Sequence, residues 1–266
     1  MSFGSERASV LRLAGVGLTR DRHPILAEVD WEVVEGQHWV VLGANGSGKT
    51  TLLRIAALYE HPTTGEVEVL GWRLGRVDVR RLRHRVGFVS PSLAQMLRPD
   101  LTAADVVMTA RHGALEPWWH DYTGVDRQRA EELLERVGAG GVGNRAISTL
   151  SSGERQRVQL ARSLMADPGL VLLDEPASAL DLGGREMLVA DLARLAADPA
   201  APPLVMVTHR TEEIPPGFTH VLLLRQGRVL AQGPLGAVLT SETLSACFEM
   251  PLALEHRTGR WHCQAG

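Results

Sequence analysis

The spacing of apolar and polar positions changes along the chain and divides it into segments. Up to about residue 90, short apolar runs are separated by glycine and charged residues, and residues 25–34 alternate apolar with polar side chains. Such alternation is typical of strands, whereas residues 50–59 have helical spacing. We therefore predict one helix at 50–59 and strands at 10–13, 25–34, 39–42, 65–70 and 86–89.

From about residue 91 to residue 166 the spacing becomes helical. Residues 103–110, 126–137 and 154–165 repeat apolar side chains three and four positions apart, as in helices with one buried face. Strand-like apolar runs then return at 170–173, 204–207 and 221–224, with a helical segment at 183–196. We predict an α/β domain with a mixed sheet core at 10–240, an inserted helical subdomain at about 91–166, an N-terminal tail at 1–9 and a C-terminal extension at 241–266.

The composition excludes several classes of protein. The 266 residues are 44% hydrophobic and 22% charged, as in a globular protein, and the net charge of −3 gives no global attraction to nucleic acid. Two cysteines, Cys247 and Cys263, are too few for a disulfide framework, which favours a reducing cytosol. No apolar run approaches the ~20 residues that span a bilayer, so we expect a cytoplasmic chain without a membrane span of its own.

A glycine-rich motif lies between the predicted strand at 39–42 and the predicted helix. Its sequence, GANGSGKT, matches the P-loop pattern G-x-x-x-x-G-K-[ST]. Glycines let backbone N–H groups turn toward a phosphate, and Lys49 supplies a mobile charge for the β and γ phosphates. Thr50 is expected to ligate Mg²⁺. An ordinary strand-to-helix turn is the alternative, but it needs neither the lysine nor the hydroxyl. The predicted nucleotide-binding residues are Gly43, Ala44, Asn45, Gly46, Ser47, Gly48, Lys49, Thr50 and Thr51.

Two carboxylates end the apolar run LVLL at 170–173. Asp174 and Glu175 follow it directly, where a parallel sheet presents its carboxyl edge to ligands. Asp174 is the predicted second Mg²⁺ ligand. Glu175 is placed to polarise an attacking water, because hydrolysis needs an acceptor on the far side of the γ phosphate. The alternative is that both carboxylates only cap a following helix.

Three further motifs resemble those of the ATP-binding cassette (ABC) ATPases. LSSGE at 150–154 is similar to the family's signature motif, SALD at 178–181 resembles its D-loop, and Thr208-His209 resembles its switch histidine. A plain serine-capped helix is the local alternative for the first. The resemblance implies a P-loop NTPase fold of the ABC ATPase type. It also implies nucleotide contacts from Ser151, Ser152, Gly153, Glu154 and Asp181.

The resemblance further implies partners and catalysis. In the ABC ATPases the signature motif caps the γ phosphate held by a second subunit, so a homodimer around two ATP and two Mg²⁺ is expected. Glu175 and His209 would orient the water, and Lys49 and Mg²⁺ would neutralise charge. The predicted catalytic residues are therefore Glu175, His209 and Lys49.

Several positions depart from the family pattern, among them Ser152 and Glu154, which stand where the signature motif more commonly has glycine and glutamine. Arg20 stands where an aromatic residue usually stacks on adenine, and its planar guanidinium is able to stack there too. The loop after the strand at 86–89 begins Ser90-Pro91-Ser92 instead of with glutamine, and the nearest glutamine is Gln95. Arg20 is thus the predicted base contact, and Gln95 is the predicted third metal-binding residue.

The chain can also be assigned to a branch of this family. The assignment depends on Trp31, Gly36, Trp39, the loop at 90–93 and the sequence DVV at 105–107. These look most like the molybdenum-transport and photorepair-related branch of the ABC ATPases. The aromatic stretch at 118–122 lies where importer ATPases of this family meet their permease, although its tryptophans could equally pack the helical insert.

Two functions follow, and a third is weaker. The first is the ATP-hydrolysing subunit of an ABC transporter that drives a separate membrane permease from the inner face of the membrane. The alternative is an ABC ATPase without a transporter, acting in nucleic-acid repair or translation. Only the arginines at 73–85 form a local basic cluster, and the chain has one P-loop and one signature, which favours the first. A small-molecule kinase would leave the signature unexplained.

Overall fold

The computed structural model describes residues 8–266. Residues 1–7, which make up most of the predicted N-terminal tail, lie outside that range, and Ser9 already belongs to the first strand. The strands are β1 (Ser9–Arg20), β2 (His23–Val34), β3 (Trp39–Leu42), β4 (Thr64–Val69), β5 (Trp72–Arg73), β6 (Val86–Val89), β7 (Leu170–Asp174), β8 (Leu204–Thr208), β9 (His220–Arg225), β10 (Arg228–Pro234), β11 (Leu252–Arg257) and β12 (Arg260–Ala265).

Helices connect and cover these strands. They are α1 (Lys49–Ala56), α2 (Val79–Arg83), α3 (Pro91–Met96), α4 (Ala103–Thr109), α5 (Gly124–Arg136), α6 (Ser152–Leu164), α7 (Leu182–Ala197), α8 (Leu235–Val238) and α9 (Ser241–Phe248). Between residues 8 and 266, no helix is both long enough and apolar enough to cross a membrane.

The central sheet has the strand order β10-β9-β3-β8-β7-β6. Every neighbouring pair from β9 to β6 is parallel, and β10 pairs antiparallel with β9. All five residues of β7 are buried, as its unbroken apolar run predicts for a strand of a sheet that is covered on both faces. The carboxyl ends of the adjacent strands β3, β8 and β7 therefore meet at one edge.

A second, antiparallel sheet has the order β2-β1-β4-β5. Its inner face shares a hydrophobic core with α1 and with one face of the central sheet. Trp31 from β2 and Trp39 from β3 lie edge to face there, with ring centroids 5.8 Å apart. β1 and β2 are longer than predicted and continue to a hairpin at residues 20–23, because their antiparallel pairing, although interrupted by register shifts, extends beyond the apolar runs.

The segment predicted to be helical, at about 91–166, contains α3, α4, α5 and α6. The last three pack on one another through buried residues that include Val106, Leu133 and Val158. Thr123 and Ser151 each form a reciprocal capping box with the acidic residue three positions later, which fixes where α5 and α6 begin.

The C-terminal segment at 241–266 is folded against the domain. Helix α9 buries Leu244 and Cys247 in the main hydrophobic core, and the hairpin of β11 and β12 packs Trp261 and Cys263 against the same core. The sequence did not predict these elements.

Candidate functional site

The loop at 43–48 connects β3 to α1 and approaches its neighbours too closely for side chains. A Cβ added to Gly43 would lie 2.2 Å from the carbonyl oxygen of Leu224, and one added to Gly48 would lie 2.8 Å from Leu26 Cδ2. Gly48 also has a φ of 100°, in the left-handed region that favours glycine. Both glycines are therefore required by the conformation of the loop.

Lys49 is the first residue of α1, and its ammonium group is held inside the loop. Nζ donates hydrogen bonds to the carbonyl oxygens of Gly43 at 2.8 Å and Ala44 at 2.9 Å. Burial lowers the pKa of Lys49, while the nearby Glu175 carboxylate acts in the opposite direction. Ser47 Oγ is also buried and has no hydrogen-bond partner within the described residues. The loop thus concentrates donors around a space that fits a phosphate.

Thr50 and Asp174 meet beside this loop. Thr50 Oγ1 donates to Asp174 Oδ1 at 3.0 Å, and Asp174 is 5% exposed. Burial is the largest cause of the raised pKa of Asp174, and the Thr50 hydrogen bond opposes it. A hydroxyl and a carboxylate at this distance are the hard oxygen ligands that Mg²⁺ takes together with phosphate oxygens, so the residues present fit the ion.

No metal cage made only of protein groups accompanies this pair. In the chain from residue 8 onward, no three His, Cys, Asp or Glu side chains are grouped so as to hold a metal ion. A Mg²⁺ ion at Thr50 and Asp174 would therefore need further oxygens from a nucleotide and from water, which is the usual arrangement for this ion at phosphate sites.

Glu175 and His209 face each other at the ends of β7 and β8. Glu175 Oε1 lies 3.6 Å from His209 Nδ1, and this nitrogen has no hydrogen-bond partner among the described residues. Glu175 also has a φ of 45°, which is sparsely populated for a side-chain-bearing residue and often marks functional sites. The adjacent parallel strands thus bring together two side chains that are 34 positions apart.

An open cleft of ≈ 290 Å³ lies beside the P-loop, and neither Asp174 nor His209 is among its lining residues. Of the predicted nucleotide-binding residues, Asn45, Gly46, Gly48, Lys49, Thr50 and Thr51 line it, together with Glu175. Arg20 is not among the lining residues. Its guanidinium forms an ion pair with Glu60 at the tip of the β1–β2 hairpin.

A second cavity of ≈ 380 Å³ adjoins the carboxylates. Gln95, Asp174 and Glu175 all line it, so the structure brings the predicted glutamine close to the predicted Mg²⁺ ligand and the predicted base. Ser90 also lines this cavity, is buried, and accepts a hydrogen bond from the Leu93 backbone N–H at 3.2 Å. Ser90 was not among the predicted site residues, although a serine before Pro91 is typical of a helix start.

The signature residues lie at the start of α6, away from the P-loop cleft. Ser151 is exposed, its Oγ accepts from the Glu154 N–H at 3.2 Å, and its own N–H donates to Glu154 Oε2 at 2.7 Å. Arg145 donates to the other carboxylate oxygen of Glu154 at 2.8 Å. Glu154 is thus engaged by the helix cap and by Arg145, while Ser152 lines the second cavity and Gly153 lies against Gly184.

One polar contact connects the signature helix α6 with α7, the helix after the D-loop, and a second fixes the start of α7. Asp181 begins α7, and its Oδ1 accepts from the Gly184 N–H at 2.7 Å. Farther along α7, Asp191 accepts from Arg157 Nε of α6 at 2.7 Å. The sequence did not predict the contact between Arg157 and Asp191, because it depends on how two helices pack.

The chain is similar to one known protein family and to individual proteins of that family. Residues 26–178 match the ABC transporter family. An uncharacterised ABC transporter ATP-binding protein of Bacillus subtilis, YlmA, is 39% identical over 244 residues, which cover 91% of this chain and 92% of that protein. The sulfate/thiosulfate import ATP-binding protein CysA of Caulobacter vibrioides is 37% identical over 211 residues, covering 78% of this chain and 60% of that protein.

A solved structure gives the same assignment. The dimeric ATP-binding cassette MJ0796, in a post-hydrolysis state bound to ADP and Pi, superposes with a TM-score of 0.73 at 28% identity, covering 85% of this chain and 98% of that chain. The predicted fold class is confirmed, and so is the transporter function over the alternative without a transporter. Neither YlmA nor CysA bears a molybdenum-transport or photorepair name, so they do not support that finer placement. The chain belongs to the ABC transporter family, as an ATP-binding subunit that hydrolyses ATP.

Proposed function

We propose that the P-loop cleft binds ATP together with Mg²⁺ and hydrolyses it to drive a separate membrane permease. The observation that carries the proposal is the convergence of Lys49, the Thr50–Asp174 pair and Glu175 at one sheet edge. Each group has the chemistry that its place requires, since Lys49 is a cation, Thr50 and Asp174 are oxygen ligands, and Glu175 is a proton acceptor.

The residues divide the work of phosphoryl transfer. The Lys49 ammonium group would leave the carbonyls of Gly43 and Ala44 for the β and γ phosphates. Thr50 and Asp174 would hold Mg²⁺, which supplies charge neutralisation when bound. Glu175 would accept a proton from the attacking water, and His209, 3.6 Å away, would help to fix the position of that carboxylate.

We further propose that two copies of the chain form the complete unit. Ser151 and Gly153 are not among the residues lining the P-loop cleft of their own chain, yet they start a helix of 13 residues whose N-terminus favours an anion. The γ phosphate of the ATP bound to a second copy would lie at this helix N-terminus. The dimer reported for the similar cassette MJ0796 supports this arrangement. Asp181, Ser152 and Glu154 remain predicted contacts of that interface.

The permease would bind beside the helical subdomain, at the cytoplasmic face of the membrane. A cavity of ≈ 440 Å³ there is lined by Arg80, Arg83 and Arg162 and by apolar side chains. Arg162 is buried and its Nε has no hydrogen-bond partner in the described chain, so an acidic group from a partner would compensate its charge. Trp119, four residues after Leu115 of the cavity lining, is 82% exposed, as expected of an aromatic anchor.

Three finer assignments remain predictions within this proposal. Arg20 would have to leave its ion pair with Glu60 to stack on adenine. Gln95 would contact Mg²⁺ from the second cavity. The placement in the molybdenum-transport and photorepair-related branch depends only on sequence features, which are Trp31, Gly36, Trp39, the loop at 90–93 and the sequence DVV at 105–107.

Phosphate release by the purified chain, measured with ATP and Mg²⁺, tests the proposal. Glu175→Gln should lower the rate by at least ~10²-fold, because it removes the water-orienting carboxylate and keeps the shape of the side chain. A matched control is Glu255→Gln on the C-terminal hairpin, which should keep the wild-type rate. A Glu175→Gln rate within twofold of the wild type would refute the role of Glu175.

A further inference from the structure

The C-terminal hairpin lies against the segment that follows His209. β11 and β12 pair in regular register from Leu252–Ala265 to Arg257–Arg260, and β12 packs on the short helical turn Thr211–Glu213. The hairpin is fixed at its base, since the Leu254 N–H donates to Ser241 Oγ of α9 at 2.9 Å. Because α9 is anchored in the core by Leu244 and Cys247, the hairpin is a supported arm and not a loose tail.

Arg260 is the side chain through which this arm reaches the catalytic half of the domain. Its Nη1 donates to Glu186 Oε2 at 2.8 Å and its Nη2 to Glu186 Oε1 at 3.3 Å, a two-bond contact with α7. Nη2 also donates to the backbone carbonyl oxygen of Glu212. One guanidinium group thus joins the first turns of α7 to the turn after His209.

Several features indicate that these contacts are specific. Arg260 is only 21% exposed, and its hydrogen bond is the largest cause of the lowered pKa of Glu186. Glu212 is held a second time, because its carboxylate Oε1 accepts from the Cys263 backbone N–H at 3.4 Å. By contrast, Arg257 on the same hairpin is 71% exposed and forms its ion pair with Glu255 of its own strand.

The side chain of His209, which precedes the turn Thr211–Glu213, is not held by a hydrogen bond at its Nδ1 within the described residues. This nitrogen lies 3.6 Å from Glu175 Oε1. The direction of the ring therefore depends on the backbone around it. Behind His209, that backbone is the turn Thr211–Glu213, which Arg260 holds against α7.

We propose that Arg260 is a positioning residue for ATP hydrolysis, which clamps the turn Thr211–Glu213 to α7 and thereby sets His209 opposite Glu175. The inference rests on the proposed roles of His209 and Glu175. The C-terminal segment would then contribute to the rate of ATP hydrolysis, and Glu186 would be the residue of α7 to which Arg260 binds. Arg260 touches neither the P-loop nor Lys49, so ATP binding does not depend on it.

The test is steady-state ATP hydrolysis by Arg260→Ala, Glu186→Gln and the matched control Arg257→Ala. We expect kcat to fall about three- to tenfold in the first two variants, a size usual for coupling through packed elements, with the KM for ATP within twofold of the wild type. Arg257→Ala should keep both constants. Arg260→Lys should give an intermediate kcat, because lysine keeps the charge without the planar fork.

The combination Arg260→Ala/Glu186→Gln should be no slower than either single variant, since both remove one clamp. Equal kcat in Arg260→Ala and Arg257→Ala would overturn the inference, and so would a parallel change of KM and kcat. A loss in Arg260→Ala that Glu186→Gln does not share, accompanied by a lower melting temperature, would show a folding defect and also overturn it. Failure of the proposed function is distinguishable, because Glu175→Gln would then leave hydrolysis unchanged.

Discussion

Thr50 Oγ1 lies 3.0 Å from Asp174 Oδ1, although 124 residues separate them in the chain. The contact joins the first turn of α1 to the end of β7, two elements that the central sheet places side by side. It brings one oxygen atom from the P-loop motif next to one from the carboxylate at the end of β7. The proposed Mg²⁺ site depends on this pair.

Asp174→Asn should therefore weaken the Mg²⁺ dependence of the protein. We expect at least about a tenfold higher Mg²⁺ concentration for half-maximal hydrolysis, because the charge of the ligands sets the affinity of such sites over orders of magnitude. Titration of the ATPase rate with Mg²⁺ at saturating ATP measures this. Asp198→Asn, on the surface after α7, is the matched control, and equal Mg²⁺ requirements of the two variants would count against the site.

Lys49→Ala should weaken ATP binding. The expected loss is about ten- to a hundredfold in affinity, as for a hydrogen bond to a charged group of about 1.5–3 kcal/mol, and no other residue of the loop is charged. Calorimetric titration with ATP checks this, with circular dichroism to confirm that α1 still forms. Unchanged affinity would mean that residues 43–50 do not cradle a phosphate.

Asp191→Ala should lower the stability of the folded protein. Asp191 is buried and its partner Arg157 is nearly so, with side chains 6% and 13% exposed, so removal of Asp191 leaves a poorly solvated guanidinium without its carboxylate partner. We expect a loss of about 3 kcal/mol in the free energy of unfolding. Arg228→Ala breaks the exposed pair with Glu28 and should cost less than about 1 kcal/mol. Urea unfolding measures the free energy of unfolding of both variants. Similar losses in the two would contradict the stabilising role of the Arg157–Asp191 pair.

The parts of the fold that the sequence predicted are those with local signals. Glycines around Lys49 marked the P-loop, and the apolar run of β7 placed Asp174 at a sheet edge. Helix α1 was predicted to reach residue 59 but ends at Ala56, because Leu58 adopts a φ of 64°, which no apolar spacing reveals. Helix α3 was missed even though Ser90 and Pro91 form a typical helix start.

The C-terminal segment and its contacts were not predictable in the same way. Side chains of β11 and β12 are only partly buried, so their alternation is weak, and one of them, Trp261, is a half-buried aromatic next to polar neighbours. Arg260 is one of many arginines in the chain, and its partners Glu186 and Glu212 lie 74 and 48 positions away. Only the packed structure identifies such contacts.

The central claim, that two copies of this chain enclose ATP between a P-loop and a signature helix, is tested most directly by size-exclusion chromatography of Glu175→Gln with ATP and Mg²⁺. The slow variant should elute as a dimer with ATP and as a monomer without it. Adding Ser151→Arg should abolish the dimer while ATP affinity stays within twofold, because the bulky cation blocks the start of α6 and leaves the P-loop intact. A dimer that persists in Glu175→Gln/Ser151→Arg with full ATP occupancy would contradict the account.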